Sequence, residues 1–502
     1  MGRKREVELV LVNPGGRTRI YQSLASALTA VEPPVWAGLM ASFVRRHGYE
    51  VAIVDANAEE LTPEATAARV AELRPRLAAV VVYGHQPSAS TQVMPGASAA
   101  ATALKQTAPE LPVLMVGGHA AALPEHTLAE ECADFVAAGE GLYTMVDLLG
   151  VLSTAAPELD KVRGLWYREG GHPRATAPAP LVDDLDRQMP GVAFDLLPME
   201  RYRAHNWHCF GEASRTPYAA LYTTLGCPYK CSFCCIQAPF KSGEGQAGYR
   251  ATTNSYRFWS PARVVDELAA LVERQGVRHV KIADEMFVLN ARHVNAICDG
   301  IAERNLDLNI WAYARVDTVK DSMIEKLARA GVRWLAFGIE AASETVRADV
   351  DKGFDDELVY RTLERVRAAG IHVIGNYIFG LPEDDLESMQ KTLDLALELN
   401  CEFANFYCAM AYPGSALYER ALAEGWPLPA SWSGYSQHSV DSLPLPTRHL
   451  SATEVLRFRD EAFHRYFASP RYLALAESKF GVHTVREIRE MASKRLERRN
   501  VA

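Results

Sequence analysis

The sequence predicts an α/β protein made of two successive strand–helix alternations and a helical tail. Three observations carry this expectation. Short apolar runs recur through residues 1–150 with helical patterns between them. A second series of strand–helix units spans residues 216–425, and its first unit carries three closely spaced cysteines. Helical patterns then occupy residues 426–502. Residues 151–215 read as the linker between the two alternations.

In the first part the strand candidates are Val7–Val12, Val51–Val54, Ala78–Tyr83, Val113–Val116 and Phe135–Ala137. They are short, rich in β-branched residues and unbroken, as strands buried on both faces are. A helix is predicted over Val35–Arg46, stopped by Gly48. Five such strands read as a doubly wound parallel sheet, where ligands sit beyond the carboxyl ends of the strands. The loops there are Asn13-Pro14-Gly15-Gly16, Gly84-His85-Gln86-Pro87-Ser88 and Gly117-Gly118-His119. Their glycines let backbone approach a bulky ligand.

The linker carries a hairpin signal, Gly164 to Arg168 followed by Gly170-Gly171. A proline-rich run from Pro173 to Pro180 and the acidic Asp183-Asp184-Leu185-Asp186 follow. His205-Asn206-Trp207-His208-Cys209 lacks helical ligand spacing and is expected to pack rather than bind metal.

The second part opens on Gly226-Cys227-Pro228-Tyr229-Lys230-Cys231-Ser232-Phe233-Cys234. With nine cysteines in 502 residues, chance would produce this spacing roughly 0.003 times. Thiolates are the usual ligands of iron–sulfur clusters, and three of them leave one iron open to a non-protein group. A zinc site or a buried thiol cluster is the alternative. Zinc needs four ligands, and no second Cys/His pair lies near except the adjacent Cys235.

Strand runs follow at Val280–Ile282, Leu308–Tyr313, Trp334–Ile339, Val373–Phe379 and Phe403–Tyr407. Helices are expected between them, for example Ser260–Arg274 and Asp355–Ala369. With the strand before the cysteines this makes six units. Polar residues follow the strands: Asp284-Glu285, Arg315, Glu340 and Gly380-Leu381-Pro382-Glu383. Strand ends of this kind carry chemistry in barrels, although each residue could equally be a salt bridge or a cap. In the tail, helices are expected over Ala452–Phe467 and Val485–Leu496. They either close an open side of the sheet and help form a pocket or simply stabilise the chain.

The composition is that of a globular protein, 48% hydrophobic and 23% charged, with a net charge of −9. No broad basic footprint exists for nucleic acid. No apolar run reaches membrane-span length, and Val7–Val12 is too short for a signal peptide. The cytoplasm is the expected location, and a reducing compartment suits free thiolates.

Cys227, Cys231 and Cys234, with Phe233 before the last, resemble the signature of the radical S-adenosylmethionine superfamily. The resemblance implies a 4Fe–4S cluster on these three cysteines, in a partial (β/α)6 barrel. It also implies S-adenosylmethionine chelated at the open iron and cleaved to a 5′-deoxyadenosyl radical. An electron donor such as flavodoxin or ferredoxin would reduce the cluster. Within this likeness Asp284-Glu285 stands where the methionine amino group is met. Glu340 stands at the ribose or methionine part, and Arg315 could pair with the cofactor carboxylate. Ile378-x-Gly380-x-x-Glu383 matches the later part of an adenine motif whose first glycine is Asn376 here.

Ahead of such a barrel, residues 1–150 resemble the Rossmann-like cobalamin-binding domain of one large class in the superfamily. Gly117-Gly118 match its Gly-Gly element, and Gly139-Glu140-Gly141 match the element closing the domain. Asn13, Gly84, His85 and Gln86 stand at the strand ends facing the cofactor. The usual Asp-x-His-x-x-Gly loop is absent, and Asn13-Pro14-Gly15-Gly16-Arg17 takes its place. The expectation is therefore base-off binding without a histidine ligand from that loop, with His85 as a substitute candidate.

The class implies a cobalamin-dependent radical methyltransferase acting on an unactivated carbon of a small secondary metabolite, such as a sugar-like molecule. Three alternatives stay open. One is cyclisation or rearrangement without methyl transfer. Another is methylthiotransfer, which conflicts with the single Cys132 in the first 200 residues. The third is a cobalamin-binding sensor or partner with a structural cluster.

Overall fold

The computed structural model describes residues 7–84, 86 and 89–501. The expectation placed on His85 lies outside the described residues. The first sheet contains β1 (Leu9–Asn13), β2 (Val51–Asp55), β3 (Leu77–Val82), β4 (Val113–Gly117), β5 (Phe135–Ala137), β6 (Leu165–Glu169) and β7 (His172–Ala175). Their order is β2-β1-β3-β4-β5-β6-β7. The first five are parallel, and β3 and β4 are buried along their whole length. Continuous apolar runs form such strands because helices cover both faces. The helix Val35–Arg46 covers one face and forms over the expected residues.

The hairpin expected within the linker pairs antiparallel with β5 and adds two strands to this sheet. The rest of the linker runs on to the second sheet. Trp207 packs edge-on against Trp311 and Trp334, and His208 bonds to the backbone oxygen of Asn309. These residues plug the amino-terminal end of the barrel, so they pack as the sequence suggested.

The second sheet holds β8 (Tyr218–Leu221). A two-strand ribbon, β9 (Thr224–Leu225) with β10 (Arg257–Phe258), brackets the cysteine loop. Then come β11 (His279–Ile282), β12 (Asn309–Ala314), β13 (Val332–Glu340), β14 (His372–Phe379) and β15 (Phe403–Cys408). The parallel order is β15-β14-β13-β12-β11-β8, an open barrel with a gap between its two edge strands. Caps delimit its helices. Ser260 accepts from the Arg263 amide at the start of Pro261–Gln275, and Gly276 ends that helix at φ 63°. Left-handed backbone there favours glycine.

The tail covers edge strand β15. Arg459 Nε donates to the Phe406 oxygen at 2.7 Å, and Tyr466 Oη donates to the Cys401 oxygen at 2.6 Å. Covering an edge satisfies groups that would otherwise invite another strand. The helix expected over Val485–Leu496 is the second half of Pro470–Ser493, which breaks at Gly481, where φ is 85°. Among the described residues no helix is long and apolar enough to cross a membrane.

Candidate cluster cleft and interdomain cavity

Cys227, Cys231 and Cys234 open on one cleft at the carboxyl end of the barrel. Their loop is held from behind by buried polar groups. The Cys227 amide donates to Gln237 Oε1 at 3.0 Å, and Gln237 Nε2 donates to Glu244 Oε1 at 2.7 Å. Asn254 Nδ2 donates to the Cys227 and Tyr229 oxygens at 3.0 and 2.7 Å. Gly226 has φ 86° and lies against the Ser255 backbone oxygen, so a side chain has no room there. Burial pushes the Cys227 thiol up to about 11 and raises Cys231 as well. Ligation to a metal removes those protons.

Phe233, Glu285, Arg315, Glu340 and Asn376 line the same cleft. Arg315 Nη1 lies 3.8 Å from Cys231 Sγ, pairs with Asp317 at 2.9 Å and stacks over Tyr229 at 4.1 Å. Asn376 accepts from Asn405 Nδ2 at 2.9 Å. Burial pushes the Glu285 carboxyl up to about 8, with Lys281 opposing and Asp284 adding to the rise.

Other expectations are corrected. Asp284 is fully buried and turns away from the cleft. It accepts from the Thr223 amide and hydroxyl, both at 2.5 Å, and from Thr224 Oγ1 at 2.8 Å, so it ties the β8 end to the β11 end. Gly380 faces Val455 of the tail helix, and Glu383 pairs with Arg448 at 2.9 Å on the outside. Glu140 pairs with Arg257 at 2.6 Å, both deeply buried, which bolts the first part to the barrel. Gly139 lies against Ser242 of the barrel, and Gly117 lies against the Val82 backbone. Their lack of side chains serves packing.

Sequence reasoning missed Lys352, which pairs with Glu340 and stands 6.0 Å from the Phe233 ring. A lone lysine in a loop carries no pattern. It also missed Tyr407, which lines the cleft from β15; Gln437 of the tail's polar loop lines it too. Gln437 bonds both backbone groups of Cys408, each at 2.9 Å.

A second cavity lies between the strand ends of the first sheet and the cysteine loop. Gly84, Gln86 and Gly118 line it from one side, and Tyr222, Cys235, Ile236 and Glu285 from the other. Gln86, Cys235, Ile236 and Glu285 also line the cluster cleft. Trp36 stacks on Tyr83 at 4.2 Å across its floor. Asn13 lines an adjoining cavity and donates to Asp55 Oδ1 at 2.7 Å.

Residues 221–396 match the radical SAM superfamily, and residues 22–149 match the B12 binding domain. The chain carries a B12-binding domain followed by a radical SAM domain. An uncharacterized methyltransferase, PH0819, from Pyrococcus horikoshii is 29% identical over 88% of this chain and 89% of its own. An anaerobic magnesium-protoporphyrin IX monomethyl ester cyclase from Rubrivivax gelatinosus is 25% identical over 80% of this chain and 68% of its own. The fold is shared with the radical S-adenosylmethionine methyltransferase TsrM from Kitasatospora setae. That match has a TM-score of 0.66 at 16% identity, covering 97% of this chain and all of that one. The cobalamin-dependent radical enzyme OxsB matches with a TM-score of 0.66 at 15% identity, over 96% of this chain and 72% of that one.

The radical SAM domain takes a 4Fe–4S cluster and S-adenosylmethionine, and the B12-binding domain takes cobalamin. The residues present fit these groups. Three thiols converge on a cleft with carboxylate, amide and cationic side chains around it. In the interdomain cavity Tyr83 Oη and His119 Nε2 are buried without a hydrogen-bond partner among the described residues. A ligand rich in amide groups would satisfy both.

Proposed function

We propose that the chain methylates an unactivated carbon of a small molecule. The observation that carries this is the wall shared by the cluster cleft and the interdomain cavity, built by Gln86, Cys235, Ile236 and Glu285. When bound, the cluster with S-adenosylmethionine supplies a carbon-centred radical and cobalamin supplies a methyl group.

In this reading Cys227, Cys231 and Cys234 hold the cluster. Glu285, Glu340 and Asn376 orient S-adenosylmethionine, and the cations Arg315 and Lys352 flank Cys231. Trp36, Tyr83, Gln86 and Gly118 receive cobalamin. The tail shields the space, because Trp432 packs on His119 at 4.4 Å and Gln437 closes the β15 side. A radical site must exclude water and stray hydrogen donors. A low-potential donor such as flavodoxin or ferredoxin supplies the electron, and the cytoplasm is the proposed location.

The test is product analysis after anaerobic reconstitution with iron, sulfide, hydroxocobalamin and S-adenosylmethionine under a strong reductant. Deoxyadenosine together with S-adenosylhomocysteine is expected. The first is lost in Cys231→Ala and the second without cobalamin. A second reading, ring formation without methyl transfer, is supported by the cyclase relatives. Deoxyadenosine with no S-adenosylhomocysteine would replace the first reading by the second.

A further inference from the structure

Beneath the cluster cleft the barrel is hollow. Barrel interiors are ordinarily filled by layers of side chains. Here Trp311, Tyr313, Ala336, Ile374, Asn405 and Tyr407 point from successive strands into an open chamber. The gap between β15 and β8 is closed from outside the barrel. Tyr21 and Glu32 of the first part and Phe463 and Met491 of the tail line the same chamber. Three parts of the chain therefore build one enclosure. Its roof is shared with the cluster cleft, since Gln86, Tyr313, Ala336, Tyr407 and Gln437 line both.

The chamber's charges are matched internally. Lys281 Nζ lies 2.9 Å from Glu32 Oε2 and 5.0 Å from the Trp311 ring centre. Arg459 pairs with Asp460 at 2.7 Å and donates to the Phe406 oxygen. Burial favours the neutral form of His205, with Glu32 pulling the other way. Each full cation that lines the chamber thus already faces a carboxylate. A phosphate or carboxylate ligand would have to compete with those carboxylates and lose its hydration, which is costly. The rest of the wall includes ring surface from Trp311, Tyr313 and Tyr407 and amides from Gln86, Gln92, Asn206, Asn405 and Gln437. Apolar rings with a few fixed polar groups are what orients a small flat ligand. Stacked or edge-on rings attract one another beyond what their buried area alone supplies.

We infer that this chamber is the substrate site and that the substrate presents a neutral, planar aromatic ring to it. The word substrate rests on the proposed function; the class of ligand rests on the chamber itself. The shared roof places such a ring next to the space the three cysteines face.

The test uses the anaerobically reconstituted holoenzyme and equilibrium dialysis with three probes: indole, methyl glucoside and cytidine monophosphate. Indole is expected to be retained at least tenfold more tightly than the other two. Ala336→Phe fills the chamber, and iron and cobalamin content report its fold. Indole retention should fall at least tenfold in this variant with both contents unchanged. Ile374→Trp, filling the chamber from the next strand, serves if Ala336→Phe fails to load. Equal retention of all three probes overturns the inference, and so does indole retention unaffected by a loaded filling variant. Cleavage of S-adenosylmethionine under reductant is measured in parallel without any probe. Cleavage without indole retention defeats this inference and spares the proposed function. Retention without cleavage spares the ligand class and defeats the proposed function.

Discussion

Lys352 and Glu340 form a buried ion pair on the rim of the cleft into which Cys231 opens. Each side chain is only 7% exposed. Glu340 has φ 63°, at a register shift between β13 and β14. Gly338 leaves the space in which the two side chains meet. Backbone held in the left-handed region by a non-glycine residue costs about 1–3 kcal/mol and clusters at functional sites. Removing one partner of a buried pair leaves an uncompensated charge, which costs about 3–5 kcal/mol. Glu340→Gln should therefore lower stability by that order in denaturant unfolding of the apoprotein. Adding Lys352→Met should recover most of the loss. A double variant no more stable than the single one would mean the pair is not coupled.

Cys231 and Cys235 should separate by iron content. Both line the cleft, but Cys231 lies beside Arg315, whereas Cys235 is packed against Met410, Tyr412 and Tyr435. After reconstitution Cys231→Ala should lose the bound iron and sulfide and the visible absorption. Cys235→Ala should keep nearly all of it. Loss in both would implicate a four-thiol site.

Tyr83 tests the interdomain cavity without disturbing the fold. Its hydroxyl is buried with no hydrogen-bond partner among the described residues. Removing an unsatisfied buried hydroxyl is close to neutral for folding. Tyr83→Phe should unfold at the same temperature as the parent or slightly higher. Its affinity for hydroxocobalamin should fall by up to about tenfold, the worth of one hydrogen bond. Unchanged affinity in a binding titration would place the tyrosine outside the cobalamin contact.

Glu267 predicts a pH dependence of stability. It lies on the helix Pro261–Gln275 and accepts from the Val192 amide at 2.8 Å. Burial pushes its carboxyl up to about 7, against the Val192 amide and Arg263, which favour the charged form. The folded chain therefore holds this proton more tightly than the unfolded chain. Its contribution is full below the usual carboxylate range and is lost as pH rises through about 7. Glu267→Gln should raise the unfolding temperature more at pH 8 than at pH 5. A constant difference would mean the carboxyl titrates normally.

The sequence by itself determined the class of the protein. A cysteine triad is a local pattern, and continuous apolar runs between helices dictate parallel strands wherever they meet. The strand ends were legible for the same reason, so Glu285, Arg315, Glu340 and Asn376 could be named before the cleft was seen. What each strand-end residue touches was decided only by the tertiary structure. Neighbouring residues on a strand end point to opposite sides, so Asp284 is spent on Thr223 and Thr224 while Glu285 faces the cleft. Glu140 meets Arg257 across 117 positions of chain, and Lys281 meets Glu32 across 249. No periodicity encodes such pairs, because they depend on how the two sheets dock. The hollow under the cleft has the same origin. Its walls come from the first sheet's loops, the barrel and the tail, and only their packing leaves the interior open.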